Sequence, residues 1–303
     1  MQRVQSLIIF GSNGFVGTSF LNYLSQLPDS HKPHEIILIN RSKSQHPILR
    51  NSLGTEIISL EFDLREHISI NLKATHVLNL AGDGSNNSYS TESSEGFIKI
   101  CKNIASWVET KNLVRVVHAS SGACSYKLGT NSPFLDKRIF IDSRLQGEKI
   151  LRSAGLKSGT KVVSARLFTF LGANIMNKTQ YAAPSFIRSA VRDGVIKVNG
   201  HPETIRSYMH EKTLSEWLYN CLTTQVLNDT VNIGSSEPVT IRDLANFISV
   251  KSGARIEYLT TNQSKTTYLP SNYDGIESLD LPEGPRWSET VTECLDILQT
   301  KGC

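Results

Sequence analysis

Three features of the sequence predict an α/β fold. The apolar run Leu7-Ile8-Ile9-Phe10 breaks into the glycine-rich turn Gly11-Ser12-Asn13-Gly14-Phe15-Val16-Gly17, and a helical pattern follows at Phe20, Leu21, Leu24 and Leu27. Further short apolar runs alternate with helical patterns as far as about Leu171, after which the rhythm loosens. Such alternation marks a Rossmann-type doubly wound parallel sheet with right-handed crossovers. That sheet is expected over residues 1–171. A smaller C-terminal α/β lobe is expected over 172–303, with some chain crossing back to the sheet.

Each element carries its own signal. The second apolar run, Glu35 to Ile39, stops at Asn40-Arg41, and others cover Glu56 to Phe62, His76 to Leu80, Val114 to His118 and Lys161 to Phe168. They are continuous and not alternating, so strands buried on both faces are expected. Helices over Gly96 to Glu109 and Ile141 to Arg152 separate the later strands. Beyond Leu171 come a polar loop over 172–179, a helix over Ser185 to Arg192, strands over Val195 to Val198 and Arg206 to His210, and a helix over Leu214 to Leu222. The strand Thr230 to Ile233, the helix Ile241 to Lys251 and the strand Arg255 to Leu259 complete the reading.

With 303 residues, 39% of them hydrophobic and 20% charged, the chain can bury a large core without disulfides or metals. Cys101, Cys124, Cys221, Cys294 and Cys303 are scattered and form no CxxC pair. That argues for a reduced, cytoplasmic setting and against zinc. No apolar run is long enough for a signal peptide or a membrane span. The net charge of +4 is spread along the chain, which excludes nucleic acid as a partner and fits a small anionic ligand.

The turn between the first strand and the first helix is where the chemistry starts. A dinucleotide's pyrophosphate can approach bare backbone N–H groups and the positive end of a helix only if no Cβ intervenes, which is why glycine recurs there. GxxGxxG alone is a weak signal; placed after the first strand and opening the first helix, it points to Gly11, Asn13, Gly14, Phe15, Val16 and Gly17 as a dinucleotide site. NAD-binding chains offer an acid at the end of the second strand, whereas this one has Asn40-Arg41-Ser42-Lys43. Arg41 favours a 2′-phosphate, hence NADP(H) over NAD(H), with a solvated loop arginine as the competing reading. Asp63, ending the third strand, could accept from the adenine amino group or cap a helix.

With these residues in view, the chain resembles the extended short-chain dehydrogenase/reductase family, in particular its NAD(P)-dependent epimerase/dehydratase group, which acts on nucleotide sugars. The resemblance rests on the glycine turn, Asp63-Leu64, Asn79-Leu80-Ala81-Gly82, the segment Ala119 to Tyr126, Ser143 to Lys149, Arg166 to Gly172, Ile205 to His210 and Val231 to Ser235. It implies a coenzyme on the N-terminal sheet, with Leu64 beside Asp63 and with Ala81 and Gly82 lining the site. It also implies a nucleoside diphosphate sugar between the lobes. Arg206 would pair with the diphosphate, and Pro184 and Phe186 would fall in the nucleotide-binding segment. Thr169 stands where the family usually has a substrate-contacting asparagine. A homodimer through the helices over 96–109 and 141–152 is implied as well.

The resemblance fails at the proton-handling positions. The family's tyrosine and lysine, one helical turn apart, fall on Phe140 and Arg144, and its loop serine or threonine falls on Gly122. Phenylalanine has no ionisable proton, and arginine, with a pKa above about 12, is no base. Arg144 can still clamp the nicotinamide ribose. Tyr126, Lys127 and Ser121 are the candidate substitutes, whereas Cys124, Asp142 and His210 are more readily explained as structural. Three readings follow: a nucleotide-sugar enzyme with a relocated acid/base, a member that binds NADP(H) or a sugar nucleotide without turnover, and a structural subunit. Retention of both Arg206 and the phosphate turn favours the first.

Overall fold

The computed structural model describes residues 4–42, 55–82, 89–126, 137–225, 228–259, 263–270, 281 and 283–301. In chain order it contains β1 (Ser6–Phe10), α1 (Phe15–Gln26), β2 (Glu35–Asn40), β3 (Glu56–Glu61), β4 (His76–Asn79), α2 (Thr91–Val108), β5 (Arg115–Ser121), a 3-10 turn (Gly122–Ser125), α3 (Arg138–Ser158) and β6 (Lys161–Leu167). There follow β7 (Phe170–Leu171), α4 (Ala182–Asp193), β8 (Val195–Val198), β9 (Ile205–Arg206), β10 (Met209–His210), α5 (Glu211–Thr223), β11 (Thr230–Ile233), β12 (Val239–Thr240), α6 (Ile241–Ser252), β13 (Arg255–Tyr258) and α7 (Trp287–Lys301). The chain divides into two compact units. One takes Met1–Leu167, Ser215–Asn232 and Asn272–Leu281; the other takes Phe168–Leu214, Ile233–Ser271 and Pro282–Cys303.

In the first unit the sheet order is β11-β6-β5-β4-β1-β2-β3, parallel at β1–β2, β1–β4, β2–β3, β4–β5 and β5–β6. β1 lies between β2 and β4, so the winding reverses at β1 and leaves a crevice at the carboxyl ends of those strands. Ile8, Phe10, Val77, Phe97, Ile104, Val116 and Leu151 are buried in its core. Phe10 meets Trp107 edge-on at 6.0 Å.

The structure departs from the sequence reading in a few elements. β3 was expected to be buried on both faces, yet its glutamates and Ser59 are exposed, because it is the edge strand with a neighbour on one side only. α2 starts at Thr91, not at Gly96, where the Ser90 hydroxyl accepts the Ser93 amide at 3.1 Å; the polar run Ser90 to Glu95 carries no apolar period to betray it. The single strand expected over Arg206 to His210 is two. Ile205–Arg206 pairs antiparallel with β12, Met209–His210 pairs parallel with β7, and the hydrogen-bond partners change across Ser207-Tyr208. His210 is therefore not on the strand that carries Arg206, and instead contacts Glu293 at 3.0 Å. α7, whose Trp287 packs on Phe247 at 5.2 Å, had no counterpart in the sequence reading.

α3 is fixed to the sheet by a buried polar cluster. Glu148 accepts from Arg166 in a two-pronged pair, Nε to Oε1 at 2.9 Å and Nη2 to Oε2 at 2.8 Å, and takes the Ser120 hydroxyl on Oε1 at 2.6 Å. Ser120 and Arg166 face each other in the β5–β6 register, so one carboxylate ties the helix to two strands. Close approach completes the fixing. A Cβ on Gly147 would meet the Phe97 ring at 2.8 Å, and one on Gly155 would meet Val162 at 2.4 Å. Glu148→Gln should cost about 3 kcal/mol, measured as a lower urea midpoint, because it leaves the Arg166 charge half-buried without its counterion.

Candidate active site

The glycine turn is built by backbone meeting backbone. Gly11 has φ +78, and a Cβ there would stand 2.9 Å from both the Cα and the N of Ala81, in the segment that follows β4. A Cβ on Gly17 would stand 2.4 Å from the Ser12 carbonyl oxygen, so the first turn of α1 lies against the loop that precedes it. Gly14, the N-cap of α1, supplies no side chain to the first-turn amides. These are the properties a pyrophosphate needs: close backbone, a helix N-terminus and no capping side chain in competition. The residues present fit a dinucleotide.

At the end of β2 the amide of Asn40 is spent on holding the turn. Its Oδ1 accepts the Asn13 N–H at 2.9 Å, and its Nδ2 donates to the Ser12 hydroxyl at 2.8 Å. Arg41 and Ser42 are exposed, and Asn13 Nδ2 donates to the Ser42 carbonyl at 3.1 Å. Lys43 lies outside the described residues. Asp63 caps a turn, not a helix. It accepts the Arg65 N–H at 2.9 Å and grips that residue's guanidinium, and the side-chain bonds to Arg65 hold its pKa down at about 2. Leu64 is buried beside it, its carbonyl taken by Asn103 at 3.0 Å.

Phe140 and Arg144 belong to a column of rings and cations. The Arg144 guanidinium lies 3.5 Å from the centroid of Phe97 and 4.7 Å from that of Phe140. On one side Phe97 stacks on His118 at 5.9 Å; on the other, Phe140 meets Tyr89 edge-on at 5.3 Å, and the Lys137 ammonium sits 5.1 Å from the Tyr89 centroid. The lysine position thus holds a planar cation pressed onto an aromatic face, a contact that suits guanidinium better than ammonium. Sequence reasoning missed His118, Phe97, Tyr89 and Lys137. No motif marks them, and only the meeting of α2, β5 and α3 makes them a set.

Beneath the column, His118 Nδ1 pairs with Asn79 Nδ2 at 3.0 Å, and Asn79 Oδ1 accepts the Ala81 N–H at 3.1 Å. Burial pushes the His118 pKa down to about 4, so the ring is neutral and its Nδ1 accepts. The candidate hydroxyl and thiol are engaged. Ser121 Oγ accepts the Ala123 N–H at 3.2 Å as the cap of the 3-10 turn, and burial pushes the Cys124 thiol up to about 11. Tyr126 closes that turn, half-exposed, with its N–H on the Ala123 carbonyl at 3.2 Å. Gly122 is buried, Gly82 is exposed, and Lys127 lies outside the described residues.

The remaining predicted residues lie in the second unit. Arg206 donates from Nη1 to the Ile205 carbonyl at 2.8 Å and from Nη2 to the Thr266 hydroxyl at 3.0 Å. Thr169 is half-buried, its carbonyl accepting the Met209 N–H at 3.2 Å. Pro184 and Phe186 are buried in α4.

The profile of the NAD dependent epimerase/dehydratase family matches residues 7–234, which spans the turn, the column and β11. The chain belongs to that family. Among curated proteins, none matches it significantly. A UDP-N-acetylglucosamine 4-epimerase from Methanobrevibacter ruminantium M1, solved with UDP-N-acetylmuramic acid, is 18% identical with a TM-score of 0.81, and the match covers 100% of both chains. A tyrosine-to-phenylalanine mutant of the UDP-glucuronic acid 4-epimerase of Bacillus cereus, solved with UDP-4-deoxy-4-fluoro-glucuronic acid and NAD, is 16% identical with a TM-score of 0.77, over 98% of this chain and 100% of that one. An epimerase from Methanothermobacter thermautotrophicus is 15% identical at 0.77, over 99% and 93%. At these identities the neighbours show the fold.

Two outcomes follow. Gly17→Ala should lower stability by about 1–3 kcal/mol in a thermal melt, since its Cβ has no room beside the Ser12 carbonyl. The second outcome concerns pH. His76 and His118 each titrate near 4 in the folded chain, mainly through burial, against 6.5 when unfolded. Their contribution is full above pH 6.5 and is lost as pH falls toward 4. Between pH 7.5 and 5.5 each histidine should cost about 1–1.5 kcal/mol of stability, read as a falling urea midpoint, and His118→Gln should roughly halve the drop.

Proposed function

We propose that the chain is a nicotinamide-dependent enzyme acting on a nucleoside diphosphate sugar, of epimerase, dehydratase or ketoreductase type, with its proton-handling group displaced from positions 140 and 144. The observation that carries the reading is the turn in which Gly11 and Gly17 leave no room for a Cβ and Gly14 leaves the helix end without a side-chain cap. Gly11, Asn13, Gly14, Phe15, Val16 and Gly17 would hold the pyrophosphate, Asp63 and Leu64 the adenine end, and Ala81 and Gly82 the wall of the crevice. Arg144, pinned by Phe97 and Phe140, would face the nicotinamide ribose. When bound, the coenzyme supplies a hydride acceptor and donor. Thr169, Pro184, Phe186 and Arg206 are the substrate side, where the Arg206 fork suits a diphosphate. Pairing of two chains through α2 and α3 belongs to the same reading.

NADP(H) is preferred over NAD(H) in this reading because Arg41 is exposed where an acid would otherwise take the ribose hydroxyls, and Asn40 is already committed to the turn. A second reading, a member that binds both ligands without turnover, is favoured by two observations. No ionisable group stands at 140, and the Bacillus cereus neighbour was solved with both ligands although one of its tyrosines is phenylalanine.

Coenzyme titration followed by nicotinamide fluorescence, then mass spectrometry of nucleotide sugars and their 4-keto forms, decides between them. NADPH should bind about tenfold more tightly than NADH, and Arg41→Ala should erase the difference. Silence with both coenzymes removes the proposal. Binding without turnover by the wild type, together with turnover by a Phe140→Tyr/Arg144→Lys double variant, establishes the binder.

A further inference from the structure

We infer that Tyr89, paired with Lys137, supplies the proton-transferring phenol that positions 140 and 144 lack; the role holds only if the chain turns over a nucleotide sugar as proposed above. Tyr89 immediately precedes Ser90, the N-cap of α2, the helix that follows β4. Lys137 is the N-cap of α3, which follows β5. β4 and β5 are neighbouring parallel strands, so both residues stand at the carboxyl edge of the sheet, where doubly wound folds take their ligands. The Tyr89 ring meets Phe140 edge-on, 5.3 Å between centroids and 75° between planes, so the phenol borders the residue that occupies the tyrosine position. The Lys137 Nζ lies 5.1 Å from the Tyr89 centroid, and a cation over the ring stabilises the phenolate against the phenol. Tyr89 is 47% exposed, whereas His118 and Cys124 are buried.

In the oxidative direction the Tyr89 phenolate oxygen takes the proton of a sugar hydroxyl while that carbon becomes a carbonyl and its hydride passes to the oxidised coenzyme. In the return direction the phenol gives the proton back to the oxygen as the carbon regains hydride. No other co-reactant is required.

Two measurements test the pair. Tyr89→Phe keeps the ring and its contact with Phe140, and should lower kcat by about 10²–10⁴ with coenzyme affinity unchanged. Independently of turnover, tetranitromethane, which attacks phenolates, should nitrate Tyr89 ahead of Tyr181, which is similarly exposed at 40%. Lys137→Met should slow Tyr89 about tenfold and leave Tyr181 unchanged. Turnover that survives Tyr89→Phe, loss of activity in Tyr126→Phe alone, or equal nitration at the two sites regardless of Lys137 overturns the role of Tyr89. Absence of turnover by the wild type on any nucleotide sugar overturns the enzyme reading itself, a different result from turnover that ignores Tyr89.

Discussion

The first unit depends on one constraint: the turn after β1 lies backbone against backbone on the segment leaving β4, with Gly11 at the Ala81 Cα and N and Gly17 at the Ser12 carbonyl. Side chains cannot mediate that contact, so the spacing of the two strand ends is set by main-chain radii alone. β1 pairs with β4 on one side and with β2 on the other, and the crevice that opens between them inherits the same spacing. Asn40 on β2 and Asn79 on β4 then lock the turn and the loop from either side, each through a side-chain amide bonded to a backbone N–H. A turn made this way is rigid because each of its parts is also holding up the sheet.

The second constraint is the seat of α3. One carboxylate, Glu148, takes Ser120 and Arg166 from neighbouring strands, and Gly147 lets the helix approach Phe97 more closely than any side chain would permit. The position of residues 140 and 144 is therefore fixed by groups that play no part in proton transfer. The ring column shows how Phe140 and Arg144 are accommodated on that helix. The Arg144 guanidinium, 3.5 Å from the Phe97 centroid, carries a delocalised charge that an aromatic face can hold. Phe97 and Arg144 suit each other physically, and a lysine against Phe97 would gain less from it.

Much of this was legible in the sequence wherever the signal was local. The glycine spacing and the continuous apolar runs of β1, β2, β4, β5 and β6 sit in short stretches with a definite period or motif. The elements misread were those whose signal is not local. β3 reads as a strand from Ile57, Ile58, Leu60 and Phe62, but Glu56, Ser59 and Glu61 interrupt the run, and its place at the sheet edge leaves those three exposed. The break between Arg206 and Met209 depends on which distant strand each side pairs with. Tyr89, Phe97, His118 and Lys137 are spread over four segments, and a sequence holds no period that would join them.

Burial also decides where protons can move. His118 is held neutral by its apolar surroundings with a pKa near 4, and burial pushes Cys101 to about 12 and Cys124 to about 11. Burial of this kind disfavours the charged form of each of these groups. Glu148, in turn, is committed to Arg166 and Ser120. Phe140 has no ionisable proton, and among the described residues of the column His118 lies enclosed beneath it, paired with Asn79.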